Sequence, residues 1–154
     1  VDIPSGLASD HGRVIGEACH FIDLLRLLAG APVVGWRRMT MESASRDTVT
    51  LSLKFADGSI GAIHYFANGN KSFPKERVEV FAAGGVLQLD NFRRLTGFGW
   101  PGFTKTRLWR QDKGQSECAA AFVDAVARDS ASPVDIAELF EVSRLAIEIA
   151  GASD

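Results

Sequence analysis

Apolar residues recur with a helical period near the start of the chain. Between Gly12 and Ala29, successive residues placed 100° apart gather one apolar face, formed by Val14, Ile15, Ala18, Phe21, Ile22, Leu25 and Leu28. The opposite sector collects the polar side chains of Arg13, Glu17, His20 and Asp23. The pattern predicts an amphipathic helix over residues 12–29, with a cap at Ser9–Asp10 and Gly30 as its C-terminal stop.

After Pro32 the period changes to two, which is typical of strands. In VTLSLKF, apolar residues alternate with polar ones. The apolar residues are predicted to point inward and are Val49, Leu51, Leu53 and Phe55. The Asp57–Gly58 turn predicts a hairpin that pairs this strand with residues 60–66. Further strands are predicted at 33–41, at 76–90 around the Gly84–Gly85 turn, and at 105–110.

Two helices are predicted to close the chain, over residues 115–128 and over 135–150 with Asp135 as cap and Glu138 three residues on. An order of helix, strands and helices predicts an α+β fold, with an open, mainly antiparallel sheet and helices on one face. The 154 residues are enough for one domain with its own core, so residues 1–154 are expected to form a single domain.

The helix-free face of the sheet is expected to be mixed in character. It would carry Thr50, Ser52 and Lys54, with some of Arg38, Arg77 and Glu79 and with Trp36 or Trp109 among them. Such a face suits a contact with another copy of the chain, and a merely solvated face is the alternative. A homo-oligomer formed through this face is therefore expected.

The amino-acid composition disfavours several classes of binding partner and site. A formal net charge of −2 gives no reason to expect nucleic acid or a membrane as partner. Two cysteines exclude a disulfide framework and a four-cysteine zinc site, which fits a reducing cytoplasm. No apolar run reaches the length of a membrane span, and no signal-peptide pattern is present. Because the sequence begins with Val1, we expect a fragment of a longer protein.

Two motifs in the sequence match known patterns only in their letters. GFGWPG, Gly97–Gly102, fits G-x-G-x-x-G, but the strand-like FTKTRLWR follows it, where a dinucleotide site needs a helix N-terminus. Glu17 and His20 fit Glu-x-x-His, but no second copy of that motif exists for a di-iron site. A single-metal site would need His11 or His64 as well. We therefore expect no metal, and no dinucleotide bound by this chain alone.

His20 is the candidate acid/base, because Glu17 and Asp23 lie one turn away on either side and a carboxylate there would hold the imidazole. An exposed histidine on a polar face is the alternative. Cys19 points about 100° away from His20, so the two do not form a nucleophile and base. Cys118 is expected to be a small buried residue of its helix.

GRVIGEACHFIDLLRLLAGAPV resembles the segment that opens the C-terminal domain of the Gfo/Idh/MocA oxidoreductases. VTLSLKFADGSIGAIHYFANG resembles the central hairpin of that family, and ERVEVFAAGGVLQLDN resembles its next strand pair. SPVDIAELFEVSRLAIEIA resembles its closing helix. The resemblance extends over nearly the whole chain.

The resemblance implies a two-domain enzyme that oxidises a sugar or sugar-nucleotide hydroxyl with NAD or NADP. The Rossmann domain that would hold the cofactor is absent from this chain, which would be inactive alone as the substrate-binding and assembly domain. The catalytic histidine of the family maps onto His20. Gly16 stands where many members have an aspartate, which leaves the proton relay open. A catalytically silent oligomerisation module with the same fold is the alternative.

Further site residues follow from the same resemblance. Besides Glu17 and Asp23, the candidates for substrate binding are Asn68, Lys71, Lys75 and Arg77, since the cations could hold a pyrophosphate. Gly12 and Arg13, at the start of the helix, are assigned to the cofactor side of the cleft. The substrate, the choice between NAD and NADP, and the oligomer size do not follow from the sequence.

Overall fold

The computed structural model of the protein describes residues 14–42 and 48–152. Along the chain these residues form a π-helical turn Val14–Ala18, α1 Cys19–Ala29, β1 Val33–Thr40, β2 Thr48–Phe55, β3 Ile60–Phe66, β4 Arg77–Ala82, β5 Gly85–Asp90, β6 Arg94–Phe98, β7 Lys105–Arg107, α2 Gln115–Ala127 and α3 Ile136–Gly151. All strand pairs are antiparallel, so the predicted α+β class is confirmed. The strands divide between two sheets instead of one.

The chain forms two compact units. The first contains Val1–Asn68 and Val134–Asp154, and the second contains Gly69–Pro133. The first unit holds the three-stranded sheet in the order β1-β2-β3, and the second holds the four-stranded sheet in the order β4-β5-β6-β7. The described segments on either side of the second unit therefore build the first unit.

The core of the first unit lies between its sheet and its two helices. The predicted inward residues of β2 are confirmed, since Val49, Leu51, Leu53 and Phe55 are all buried. Residues of α1 and α3 complete this core, among them Ala18 from the π-turn, Ile22, Val142, Leu145 and Ile149. Helices cover one face of this sheet, as predicted, because each helix buries a single apolar stripe.

Helix ends and turns follow the local sequence where they lie within the described residues. Gly30 ends α1 in the left-handed conformation at φ 64°, as predicted, and its N–H donates to the Arg26 carbonyl. Asp135 caps α3 by accepting from the Ala137 N–H, as predicted. The predicted helix start at residue 12 and its cap at Ser9–Asp10 lie outside the described residues.

Trp36 and Arg38 face the helices, so their predicted place on the helix-free face is wrong. A β-bulge between Val33 and Gly35 adds one residue to β1, which turns every later side chain to the other face. The Trp36 Nε1 donates to Glu148 Oε1 at 3.2 Å. Arg38 donates to the carbonyls of the last turn of α3, at 2.8 Å for Ile149.

The second unit is an antiparallel meander followed by α2. Strand β6 was not predicted, because Gly97 interrupts the apolar alternation of that segment. The strand predicted at 105–110 ends at Arg107, and Trp109 beyond it is exposed. Arg77 and Glu79 lie on this sheet. Cys118 on α2 is exposed, contrary to the prediction that it is buried.

A buried arginine joins both helices of the first unit to the start of β1. The side chain of Arg26 is 9% exposed, and it pairs with Glu138 and Glu141, each at 3.1 Å. The other oxygen of Glu141 accepts from the Val33 N–H at 2.7 Å. A guanidinium and a carboxylate are tolerated here because each satisfies the hydrogen bonds of the other.

We expect Glu141→Ala to lower the free energy of unfolding by about 3 kcal/mol, because it leaves Arg26 buried without its main partner. The double variant Arg26→Met with Glu141→Gln should recover at least half of that loss, since the amide oxygen can still accept from Val33. Urea unfolding measures both. The exposed pair Arg128–Asp124 is the matched control, and Asp124→Ala should cost less than 1 kcal/mol. Equal losses in Glu141→Ala and Asp124→Ala would contradict this assignment.

The β4–β5 hairpin carries backbone strain at a non-glycine residue. Ala83 and Gly84 form its two-residue loop at φ 50° and 81°, which is the geometry of a type I′ turn. The left-handed conformation costs a residue with a Cβ roughly 1 kcal/mol relative to glycine.

Ala83→Gly should therefore raise the free energy of unfolding of the second unit by about 0.5 kcal/mol, after the higher backbone entropy of glycine in the unfolded chain is counted. Gly84→Ala should lower it by roughly 1 kcal/mol. Thermal unfolding followed by circular dichroism ranks the two variants. A loss of stability in Ala83→Gly would show that the loop does not adopt the type I′ geometry.

Candidate functional site

The π-helical turn and α1 carry the candidate acid/base at an exposed position. His20 is the second residue of α1, and its side chain is exposed. Asp23, one turn later, is exposed too. Neither side chain makes a hydrogen bond or ion pair with another residue of the described ranges 14–42 and 48–152. The imidazole is therefore accessible to a ligand, whereas the predicted support from Asp23 is not formed.

The helical pattern predicted that Glu17 lies beside His20 on the polar face, and this is wrong. It lies in the π-helical turn, half-buried, and accepts a hydrogen bond from the Tyr65 hydroxyl at 2.6 Å. A π-turn closes with i→i+5 hydrogen bonds and so rotates less per residue than an α-helix. This local geometry directs Glu17 towards the sheet, while His20 faces solvent.

Close packing of α1 against β3 explains why Glu17 reaches Tyr65. At Gly61, a Cβ atom would come within 2.8 Å of the Leu25 Cδ1, so any larger residue would displace the Leu25 side chain. Tyr65 lies opposite Val49 in the register and therefore shares the helix-covered face of the sheet. Alternation along β3 could have placed its ring on that face, but no sequence pattern indicated Glu17 as its partner.

The cysteine beside His20 is not activated. Burial raises the pKa of the Cys19 thiol, and the nearby Asp23 charge acts in the same direction. A thiol with a raised pKa stays protonated near neutral pH and is a weak nucleophile. Nucleophilic catalysis by Cys19 is therefore disfavoured.

Asn68 lies just after β3. Its amide donates a weak hydrogen bond to the Met41 sulfur at 3.7 Å. Both residues border a shallow, open depression of about 400 Å³, which is lined by Met39, Thr40, Met41, Thr48, Val49, Thr50, Phe66 and Asn68. Of the substrate-binding candidates, Asn68 alone lines this depression.

The candidate cations belong to the second unit and differ in their availability. Arg77 is paired with Glu79 at 3.0 Å and with Asp90 at 3.8 Å. A hydrogen bond from Arg94 holds the pKa of Asp90 below its ordinary value, so this carboxyl group stays ionised beside both arginines. Lys71 and Lys75 are exposed and form no ion pair with a described residue. The two lysines are therefore better candidates for an anionic ligand than Arg77.

The glycine-rich segment Gly97–Gly102 is a strand connection, as the sequence indicated. Gly97 and Phe98 end β6, and the residues after them join β6 to β7. The Gly97 N–H donates to the Thr104 carbonyl at 2.7 Å. A strand, β7, follows the loop where a dinucleotide-binding turn would lead into a helix. The described residues of this segment do not fit a dinucleotide.

Some predicted site residues cannot be placed. Gly12 and Arg13, assigned to the cofactor side, lie outside the described residues, as does His11. Within residues 14–42 and 48–152, no group of three His, Cys, Asp or Glu side chains is arranged to hold a metal ion. In the same ranges, no helix has the length and apolar character needed to cross a membrane.

Comparison with known proteins supports the fold through structure rather than sequence. No sequence model of a protein family matches the chain, and no curated protein matches it. UDP-N-acetylglucosamine 3-dehydrogenase GnnA from Acidithiobacillus ferrooxidans matches with a TM-score of 0.76 at 18% identity, over 96% of this chain and 48% of that chain. The dehydrogenase MviM from Clostridium difficile matches with a TM-score of 0.75 at 18% identity, over 93% and 48%.

A third solved structure is that of the WlbA dehydrogenase from Bordetella pertussis, in complex with NADH and UDP-GlcNAcA. It matches with a TM-score of 0.55 at 21% identity, over 91% of this chain and 42% of that chain. The chain thus spans about half the length of the structures it matches. These comparisons confirm the fold implied by the resemblance to the Gfo/Idh/MocA oxidoreductases, an α+β fold that the chain shares with about half of each of these dehydrogenases.

Proposed function

We propose that this chain is the substrate-binding and assembly domain of an NAD(P)-dependent dehydrogenase that oxidises a hydroxyl of a sugar or sugar nucleotide. The observation that carries the proposal is the fold shared with about half of GnnA, over 96% of this chain. GnnA is described as a UDP-N-acetylglucosamine 3-dehydrogenase, and WlbA was solved with UDP-GlcNAcA. A UDP-linked amino sugar is therefore the substrate class we propose.

The cofactor, NAD or NADP, would be bound by a Rossmann domain outside this chain and would supply the redox chemistry. The residues of this chain would bind and orient the substrate. His20 would take the proton of the reacting hydroxyl, since its exposed imidazole has no competing partner among the described residues. Within the second unit, Lys71 and Lys75 stay proposed as groups that would bind an anion. The isolated chain would be inactive. The full-length enzyme would act in a reducing compartment such as the cytoplasm.

Gly16 favours the alternative of a catalytically silent module. It stands at the position where the resemblance implies an aspartate, and a Cβ atom added there meets nothing within 4 Å. Steric exclusion of a side chain therefore does not explain the glycine. If the full-length protein with NAD or NADP showed no turnover on UDP-linked amino sugars, this alternative would be favoured.

In the full-length protein, we expect His20→Ala to lower kcat by roughly 10²–10⁴-fold, which is the usual contribution of a positioned general base. Folding should be unaffected because the side chain is exposed, and the melting temperature should change by no more than a few degrees. Arg144→Ala is the matched control, since Arg144 is also an exposed polar residue of a helix but lies on α3. Steady-state kinetics with either cofactor tests this, and retained turnover in folded His20→Ala would rule out the assigned role.

The helix-free face of the β1-β2-β3 sheet is the proposed subunit contact. It carries Thr50, Ser52 and Lys54 as predicted, together with the exposed apolar side chains of Met39, Ile60 and Phe66. Exposed apolar groups interleaved with polar ones are typical of interfaces between subunits.

Sedimentation of the full-length protein should show a dimer or larger species, and Phe66→Asp should shift it towards monomer, because a buried unpaired charge opposes association. Ile147→Asp places the same charge on α3, where the side chain is about equally exposed at 63% against 60% for Phe66. That control should leave the oligomer unchanged. A wild-type protein that stays monomeric at high concentration would refute the contact.

A further inference from the structure

Four glutamates connect the helices of the first unit to neighbouring elements, and one of them has a distinct environment. Glu138 and Glu141 pair with Arg26, and Glu148 accepts from Trp36. Glu17 is half-buried and accepts from the Tyr65 hydroxyl. Within the ranges 14–42 and 48–152, no lysine, arginine or histidine pairs with it. Its carboxylate thus keeps negative charge that no described cation offsets.

We infer that the Glu17–Tyr65 pair determines specificity in the proposed site, by binding hydroxyls of a neutral sugar ring and disfavouring a ring that carries a carboxylate. The inference rests on the proposed function. It concerns binding alone and requires no chemical step. Glu17 and Tyr65 would touch the sugar ring next to the hydroxyl that His20 serves.

The chemistry of a carboxylate supports this selectivity. Its two oxygens offer about four acceptor positions, and Tyr65 occupies one of them. Because the Tyr65 proton is directed at Glu17, a ligand that approaches the pair meets acceptor atoms. Sugar hydroxyls can donate to these atoms. A ligand carboxylate has no proton to donate, and the negative charge of Glu17 repels it. Solvent and salt screen this repulsion only weakly because Glu17 is half-buried.

The pair lies close to His20 along the chain. Glu17 and His20 are three residues apart, which corresponds to about 4.5 Å along an α-helical axis. His20 is exposed, whereas Glu17 and Tyr65 are both half-buried. The π-helical turn produces this arrangement, and such turns occur frequently at functional sites.

The test compares two ligands that differ in this charge. UDP-N-acetylglucosamine and UDP-GlcNAcA share the nucleotide and the pyrophosphate, but the second carries a carboxylate on the ring. Calorimetric titration of the full-length protein should give at least tenfold tighter binding of UDP-N-acetylglucosamine. Glu17→Gln keeps an acceptor for Tyr65 and removes the charge, so it should reduce this preference to less than threefold.

Tyr65→Phe should weaken binding of UDP-N-acetylglucosamine by about tenfold, which corresponds to one hydrogen bond in a charged pair. Trp36→Phe is the matched control, because Trp36 also connects a strand to a helical glutamate. It should leave both affinities unchanged, although both variants lose a similar contact within the fold. A reduced affinity in Tyr65→Phe alone would thus separate binding from stability.

The outcomes distinguish this inference from the proposed function. An unchanged preference in folded Glu17→Gln, or equal binding of both ligands by the wild type, overturns the inference, while cofactor-dependent turnover that is lost in His20→Ala would still support the function. Selective binding without turnover supports the inference and refutes the function. Binding of neither ligand overturns the inference.

Discussion

The pairing of Arg26 with Glu141 is the constraint on which the first unit depends. It joins residues that are 115 positions apart in the chain, and the same carboxylate holds the first N–H of β1. A buried guanidinium without this carboxylate would be strongly unfavourable, so α1 and α3 must dock together. Both helices are thereby fixed on one face of β2, and the whole second unit is inserted between the two segments that this pair connects.

Two further contacts determine where the helices lie on that sheet. Arg38 satisfies carbonyl groups in the last turn of α3, a turn that contains no basic residue of its own. Its positive charge also interacts favourably with the partial negative charge of the helix C-terminus. Gly61 permits the close approach of Leu25 to β3. Together they bring the N-terminal end of α1 beside β3, which is where Glu17 meets Tyr65.

Carboxylates of the second unit already engage the arginine among its candidate cations. Asp90 lies opposite both Arg77 and Arg94 in the sheet register, and its oxygens contact both guanidinium groups. The arginine that the sequence offered for a pyrophosphate thus already has carboxylate partners. Lys71 and Lys75, by contrast, form no ion pair with a described residue.

The sequence by itself determined the α+β class, the burial of β2, the Asp57–Gly58 hairpin turn, the C-terminal end of α1 and the start of α3. Each of these follows from local preferences: a period of two, an Asp-Gly turn, a glycine stop and an aspartate cap. Its assignment of Gly97–Gly102 to a strand connection was right for the same reason. The turn predicted at Gly84–Gly85 lies one residue earlier, at Ala83–Gly84. The short strand β6 was missed, since a glycine within five residues removes the alternation that would reveal it.

Only the tertiary structure decided which side chains share a face or a partner. One extra residue in the β1 bulge turned Trp36 and Arg38 towards the helices, and no local pattern revealed that insertion. A π-helical turn directed Glu17 away from His20, and Glu17 accepts a hydrogen bond from Tyr65, 48 residues away. Which face or partner a side chain takes depends on the summed energies of contacts between residues far apart in the chain. A periodic pattern of neighbouring residues carries no information about those contacts.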